Sequence, residues 1–237
     1  MLRLFLYGVA MNKRLETIAE LVRNGSGLID VGTDHGYLPV WLAQKAYTGF
    51  LYASDINEGP LASARKTARE ASLENRIHFL LCDGLDDCPP EKIDTIVIAG
   101  MGGDTICRIL DRAEWCLDNA YSLILQPMTK AEVLRYWLVN NGFELLEERL
   151  VRDGGVLYQI IRARSSKNMR LSDAELYAGV FVNISSEELC GEWLDGLIRR
   201  FEKEEKGLLS AGMKNEGRLS ICQGVKEGLL EMKGKLS

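Results

Sequence analysis

Histidine is nearly absent from this chain: His35 and His78 are the only two in 237 residues. Its six cysteines nowhere form a C-x-x-C pair, so the ligand spacings of zinc sites are missing and no metal centre is expected. Proline numbers only five, too few for long extended linkers. No apolar run reaches the ~18 residues that a membrane-spanning helix needs. Surplus positive charge is lacking too: the formal net charge of -5 excludes a global basic field, so any nucleic-acid site must be a local patch. The cysteines themselves (Cys82, Cys88, Cys107, Cys116, Cys190, Cys222) are scattered, several in apolar runs. That usage fits reduced, buried thiols of a cytoplasmic protein.

The opening segment "MLRLFLYGVAMNKRLETIAELV" begins apolar but lacks a clear small-residue cleavage site. Its later part is amphipathic through Leu15, Ile18, Ala19 and Val22, so a helical N-terminus is expected rather than a signal peptide, with Met11 an alternative start.

Strands and helices then alternate. "GLIDVG" (27–32), "GFLYASDI" (49–56), "RIHFLLCD" (76–83), "IDTIVIAG" (93–100) and "SLILQP" (122–127) read as short buried strands. Helices follow the first strand at 37–45, the second at 60–73, the fourth from "MGGDTICRILDRA", and the fifth from "KAEVLRYWLVNNG", stopped at Gly142. "FELLEERLVRDGGVLYQIIRAR" reads as a closing hairpin with "DGG" as its turn. Regular alternation of this kind gives an α/β fold with a mostly parallel sheet covered on both faces. A terminal antiparallel hairpin makes it the seven-stranded, class I (Rossmann-like) methyltransferase form.

From Ser165 the texture changes, and residues 1–164 and 165–237 are expected to form separate domains. Ser172 and Glu175 have capping-box spacing. Leu189, Trp193, Leu197, Phe201 and Leu208, then Leu219, Cys222, Val225 and Leu229, recur at helical intervals on either side of "SAGMKNEG". Two amphipathic helices there would form an α-helical coiled-coil hairpin.

Ligands of open parallel sheets bind beyond the carboxyl ends of the strands. Those ends carry Asp30, Gly32, Asp34, His35 and Gly36; then Asp55 and Ile56; then Asp83 and Gly84; then Gly100, Met101, Gly102 and Gly103; then Gln126 and Pro127. Acids at three successive ends suit a ligand with hydroxyls, an ammonium and an adenine better than one with phosphates. S-adenosyl-L-methionine is such a ligand. Gly32 and Gly36 would let the backbone approach it. Asp55 would accept the ribose hydroxyls, Asp83 the adenine amino group, with Gly84 leaving space beside the ring. Asp34, which would repel a pyrophosphate, can face the cationic half of this cofactor. His35 is either structural or part of the active site; His78, inside a strand, is read as structural.

The "AGMGG" end offers backbone and space rather than the polar and aromatic grip used on an exocyclic amine. A ring nitrogen with an in-plane lone pair would suit it, since such a nucleophile needs orientation but no base. The same glycines would also serve a tight strand-to-helix turn.

Through "KRLETIAELV", "DVGTDHGYLPVWL", "ASDINEGPLASA", "DGL", "IVIAGMGGDTI" and "LILQPMT", the sequence resembles the bacterial tRNA (adenine(22)-N(1))-methyltransferases. The likeness runs over nearly the whole chain from about Asn12; in the C-terminal hairpin it lies more in pattern than in residues. It implies methyl transfer to N1 of adenine 22 of tRNA and a C-terminal coiled coil that helps hold the RNA. Carried over by position, it implies cofactor binding by Gly32, Asp34, Asp55, Asp83 and Gly84, with Gly100 to Gly103 bordering the target base. Asp104 is a candidate for stabilising the cationic product, or simply an acid in a helix's first turn. Met128 and Thr129 depart from the commonest family pattern.

An acidic enzyme acting on tRNA needs local cations. Candidates are Lys13 and Arg14, Arg162 and Arg164, then Arg199, Arg200, Lys203, Lys206, Lys214 and Arg218. The segment from Ser165 nevertheless holds eleven basic against twelve acidic residues, so by charge alone it reads as a solvated coiled-coil surface as well as an RNA platform. N1 lies on the pairing edge, so the base must leave its stack, and Tyr37 either stacks on it or packs at a helix start. A small-metabolite methyltransferase and a catalytically silent cofactor-binding module are the competing readings. No obligate protein partner is implied.

Overall fold

The computed structural model describes residues 11–118, 120–166, 169–180, 186–210 and 216–236. The expected apolar start (residues 1–10) and most of the "SAGMKNEG" joint (211–215) lie outside them. Helix α1 (Lys13–Leu21) starts where Asn12 accepts the Leu15 amide at 2.9 Å, and it buries Ile18, Ala19 and Leu21. The alternation then runs β1 (Leu28–Val31), α2 (Tyr37–Gln44), β2 (Leu51–Asp55), α3 (Glu58–Glu70), β3 (Ile77–Leu81), β4 (Thr95–Gly102), α4 (Gly103–Arg112), β5 (Ser122–Thr129) and α5 (Ala131–Asn140). Strands β6 (Phe143–Asp153) and β7 (Val156–Ser165) close the sheet. Three helices follow: α6 (Asp173–Ala178), α7 (Glu187–Ser210) and α8 (Glu216–Gly234).

The seven strands are ordered β3-β2-β1-β4-β5-β7-β6. The pairings β1–β2, β2–β3, β1–β4 and β4–β5 are parallel, and β7 is antiparallel to both β5 and β6. Because the chain winds outward from β1 in both directions, a crevice opens at the carboxyl ends of β1 and β4. Side chains alternate across the strands. Ile29, Ile96, Ile98, Leu123 and Leu125 pack on α4 and α5 through Ile106, Leu110, Leu134 and Leu138. On the other face, Leu28, Val97, Ile124 and Ile160 meet Ile18, Leu38 and Ala68. The six cysteines are buried free thiols.

Gly154 (φ 55°) and Gly155 (φ 81°) form the two-residue turn between β6 and β7, the backbone that a tightly twisted hairpin requires. Strands β4 and β5, however, run past their predicted ends, to Gly102 and Thr129. Two register shifts let Met101 pair with Pro127 and Gly102 with Thr129. Proline and glycine read as strand terminators, and here a bulge accommodates both.

Ser172 and Glu175 make the expected capping box at α6. Ala174, Ala178, Leu194, Leu197, Ile198 and Phe201 bury Cys222, Val225 and Leu229, so α6, α7 and α8 share one core. Met169, Leu171 and Val180 pack instead on the core beneath the sheet. A buried ion pair also ties the two parts: Arg135 Nε donates to Glu148 at 2.7 Å, Arg135 Nη1 donates to the Leu176 carbonyl at 2.8 Å, and the Val180 amide donates to Glu148. No helix of the described residues is long and apolar enough to cross a membrane.

Candidate active site

At the end of β1 the chain turns through Gly32 (φ 70°), whose amide and that of Thr33 both donate to the Ser54 carbonyl of β2, at 2.8 and 2.9 Å. Beneath this turn Asp30 is buried and accepts the Thr33 hydroxyl at 2.7 Å. Burial pushes the Asp30 carboxyl up to about 6, against the lowering effect of the Thr33 bond and with a further rise from the negative charge of Asp55.

Above the turn lies a cavity of about 660 Å³. Gly32, Asp55, Ile56, Asp83, Gly84, Gly100 and Met101 all line it, so these strand ends meet at one cavity. Asp55 is oriented by the Asn57 amide, which donates to its Oδ1 at 2.8 Å. A Cβ on Gly84, itself at φ 65°, would sit 2.9 Å from Ile109. Helix α4 supplies a wall that sequence reasoning missed: Thr105, Arg108, Ile109 and Arg112. Their i, i+3, i+4, i+7 spacing was a readable signal. Arg112 pairs with Asp83 at 2.5 Å and also with Asp86, so the Asp83 carboxylate is held at the cavity edge by a cation.

Other predicted residues stand elsewhere. Asp34 (φ 52°) lies outside this cavity, its exposed carboxylate 3.6 Å from His35, and the His35 ring stacks on exposed Tyr37 at 5.2 Å. Gly36 serves packing: a Cβ there would come within 2.9 Å of Ala64 on α3. Asp34, His35 and Gly36, expected at the cofactor, are thus not among the residues that line the cavity. Gly102 and Gly103 also lie outside it. A Cβ on Gly103 would sit 2.2 Å from the Lys130 carbonyl, so this glycine lets α4 close on the turn before α5. Lys130 donates to Asp104 at 2.9 Å, and this bond holds the Asp104 carboxyl below its ordinary range.

Gln126 was expected to touch substrate, but it is fully buried. Its Oε1 accepts from Arg14 Nη1 at 2.5 Å and from the Gly100 amide at 3.1 Å, and its Nε2 donates to the Pro127 carbonyl at 2.9 Å. Arg14 also lies 5.3 Å over the Tyr158 ring. Both residues thus brace the glycine bulge from behind. Arg200 stands over Tyr177 at 5.8 Å, in a cleft with Pro127, whereas Lys13, Arg199 and Lys203 are exposed and line neither space. Lys214 is outside the described residues. Among the described residues no group of three or more His, Cys, Asp or Glu could hold a metal ion.

A methyltransferase-domain family model matches residues 11–161. The tRNA (adenine(22)-N(1))-methyltransferase of Bacillus subtilis is 33% identical over 173 residues, 73% of each chain. The chain belongs to the tRNA (adenine(22)-N(1))-methyltransferase family. The crystal structure of the B. subtilis m1A22 tRNA methyltransferase TrmK superposes with a TM-score of 0.76 at 26% identity, covering 96% of this chain and 97% of that one. Sp1610 of Streptococcus pneumoniae, crystallised with S-adenosyl-L-methionine, superposes with a TM-score of 0.77 at 30% identity over 94% of this chain and all of that one. The cavity has what could hold a cofactor: side-chain-free glycines for close approach and a carboxylate oriented at the end of β2.

Proposed function

We propose that the chain transfers a methyl group from S-adenosyl-L-methionine to N1 of adenine 22 in tRNA, giving 1-methyladenosine. The observation that carries this is one cavity lined by Gly32, Asp55, Asp83 and Gly84 together with Gly100 and Met101. Its residues fit the cofactor. Asp55 would accept ribose hydroxyls, Asp83 with Gly84 would take the adenine end, and Gly32 would admit the chain between them. The bound cofactor supplies a methyl group on a positively charged sulfur.

The protein's part is then orientation. N1 of adenine carries a free lone pair at neutral pH, so no side chain has to remove a proton before attack. Gly100 and Met101 border the space where the base would enter, and Gln126 with Arg14 fixes the Gly100 peptide from behind. Carbonyls of the bulge would face the positive charge that develops on the ring. Residues 1–164 would carry the chemistry and 165–237 would help hold the tRNA. Because Met169, Leu171 and Val180 belong to the first core, the RNA role of the second part is better tested by point substitution than by truncation at 165.

The test is incubation of the full chain with labelled S-adenosyl-L-methionine and unmodified tRNA transcript, followed by nuclease digestion and nucleoside mass analysis. 1-Methyladenosine that disappears when adenine 22 is replaced by guanine is the expected result. Cofactor binding without RNA methylation would sink the assignment.

A further inference from the structure

We propose that the cleft between the sheet and α7 binds one unpaired nucleotide of the tRNA directly beside the methylated adenine; this rests on the function proposed above. The cleft has a volume of about 220 Å³ and is bounded by the turn from β5 to α5, the start of β7, α6 and α7. Three rings line it, Tyr158, Tyr177 and Trp193, together with Arg200. It shares no residue with the cofactor cavity. Yet Pro127 and Thr129 in its wall pair with Met101 and Gly102, one strand spacing of about 4.8 Å from the glycine bulge.

Size and chemistry select the occupant. At this volume the cleft falls below the ~300 Å³ at which pockets for whole cofactors begin, so it suits a single planar ring. Glu132 lines it, and Lys130 at its rim is already paired with Asp104, so a phosphate would find the Arg200 guanidinium offset by a carboxylate, whereas the three rings offer it nothing. A base would meet aromatic faces and a guanidinium plane, the surfaces on which single-stranded RNA is stacked. Moving adenine 22 out of its stack also strips its neighbour of a stacking partner, which leaves that neighbour in need of a new surface.

The rings are held in place before any RNA arrives. Trp193 donates its indole N–H to the Ala178 carbonyl at 3.0 Å. Tyr177 meets Phe201 edge-on at 4.9 Å and lies under Arg200. Tyr158 is covered by Arg14, the residue that braces Gln126. A nucleotide seated on Tyr158 would therefore sit one side chain away from the support of the Gly100 peptide.

The experiment is a binding cycle with the full chain. Wild type, Tyr158→Leu, Tyr158→Phe and Arg200→Gln are titrated with intact tRNA transcript and with transcripts lacking the base at position 21 or at position 23. Wild type should lose about 10-fold in affinity for one of the two abasic transcripts, the order expected for one stacked base. Tyr158→Leu should lose about as much on intact tRNA and no more on that abasic transcript, which is the sign of a shared contact. Arg200→Gln should weaken intact tRNA too, Tyr158→Phe should bind as wild type, and cofactor affinity by calorimetry should stay unchanged in all three. Normal binding of intact tRNA by both Tyr158→Leu and Arg200→Gln, or additive losses at both flanking positions, would overturn this inference alone. Failure of the wild-type enzyme to form 1-methyladenosine would overturn it together with the function it rests on.

Discussion

Arg14 Nη1 reaches Gln126 Oε1 at 2.5 Å across 112 residues of chain. The same oxygen accepts the amide of Gly100, a cavity residue at φ 80°. Arg14 is therefore a positioning residue: it orients the amide that orients the glycine peptide. Arg14→Ala should lower kcat by ~10- to 100-fold, because small displacements of a positioning group cost that much. Cofactor affinity should change little. Steady-state kinetics with tRNA varied provides the check, and a raised KM at constant kcat would return Arg14 to direct RNA contact.

Arg135 and Glu148 are both sequestered from solvent, at 0% and 5% side-chain exposure, and they clasp residues 176–180 to the sheet. Glu148→Ala leaves the Arg135 charge buried without its partner, which costs about 3–5 kcal/mol for such pairs. Arg135→Met with Glu148→Leu should recover part of that loss, because neither charge then remains. Thermal unfolding of the single and double variants reads the difference. Hydrogen exchange should rise first across α6 in the single variant.

What was legible in the sequence was whatever depends on local pattern. Apolar runs between glycines predicted the strands, "DGG" predicted the hairpin turn, and Ser172 with Glu175 predicted a cap. That Gly32, Asp55, Asp83 and Gly84 gather at one cavity was readable because parallel strands deliver their carboxyl ends to one edge whatever the packing. The α4 wall left its helical spacing in the sequence but not its direction, since which flank of a helix meets a ligand depends on how its opposite flank packs. Asp34 was assigned to the cofactor from its place in the glycine turn; its left-handed backbone and 70% exposed side chain depend on the tertiary course of the turn and were not legible there. The Arg14–Gln126 contact joins distant segments and leaves no local trace.

Asp55 presents an oriented carboxylate to the cavity, with the Asn57 amide on Oδ1. Asp55→Ala should weaken S-adenosyl-L-methionine binding by ~10- to 100-fold, matching the 1.5–3 kcal/mol of hydrogen bonds to a charged group. Asp55→Asn keeps an oxygen for the Asn57 amide and should lose less. Calorimetric titration of both variants measures this, and unchanged affinity in Asp55→Ala would refute the assignment.

Asp30 gives the protein a pH dependence of defined sign. Its folded pKa, about 6, stands above the ordinary 3.8, so between these values the folded state holds a proton that the unfolded state has released. Stability should therefore fall as pH rises from about 4 to 6, and level off above, with a total loss of order 3 kcal/mol at 1.36 kcal/mol per pH unit. Asp30→Asn removes the titration while leaving an acceptor for the Thr33 hydroxyl. Denaturant midpoints measured at pH 5 and pH 8 should then show a smaller drop for Asp30→Asn than for wild type. Parallel curves for the two proteins would mean that Asp30 is charged in the folded state across this range, and that the turn over β1 tolerates a buried carboxylate through some compensating contact.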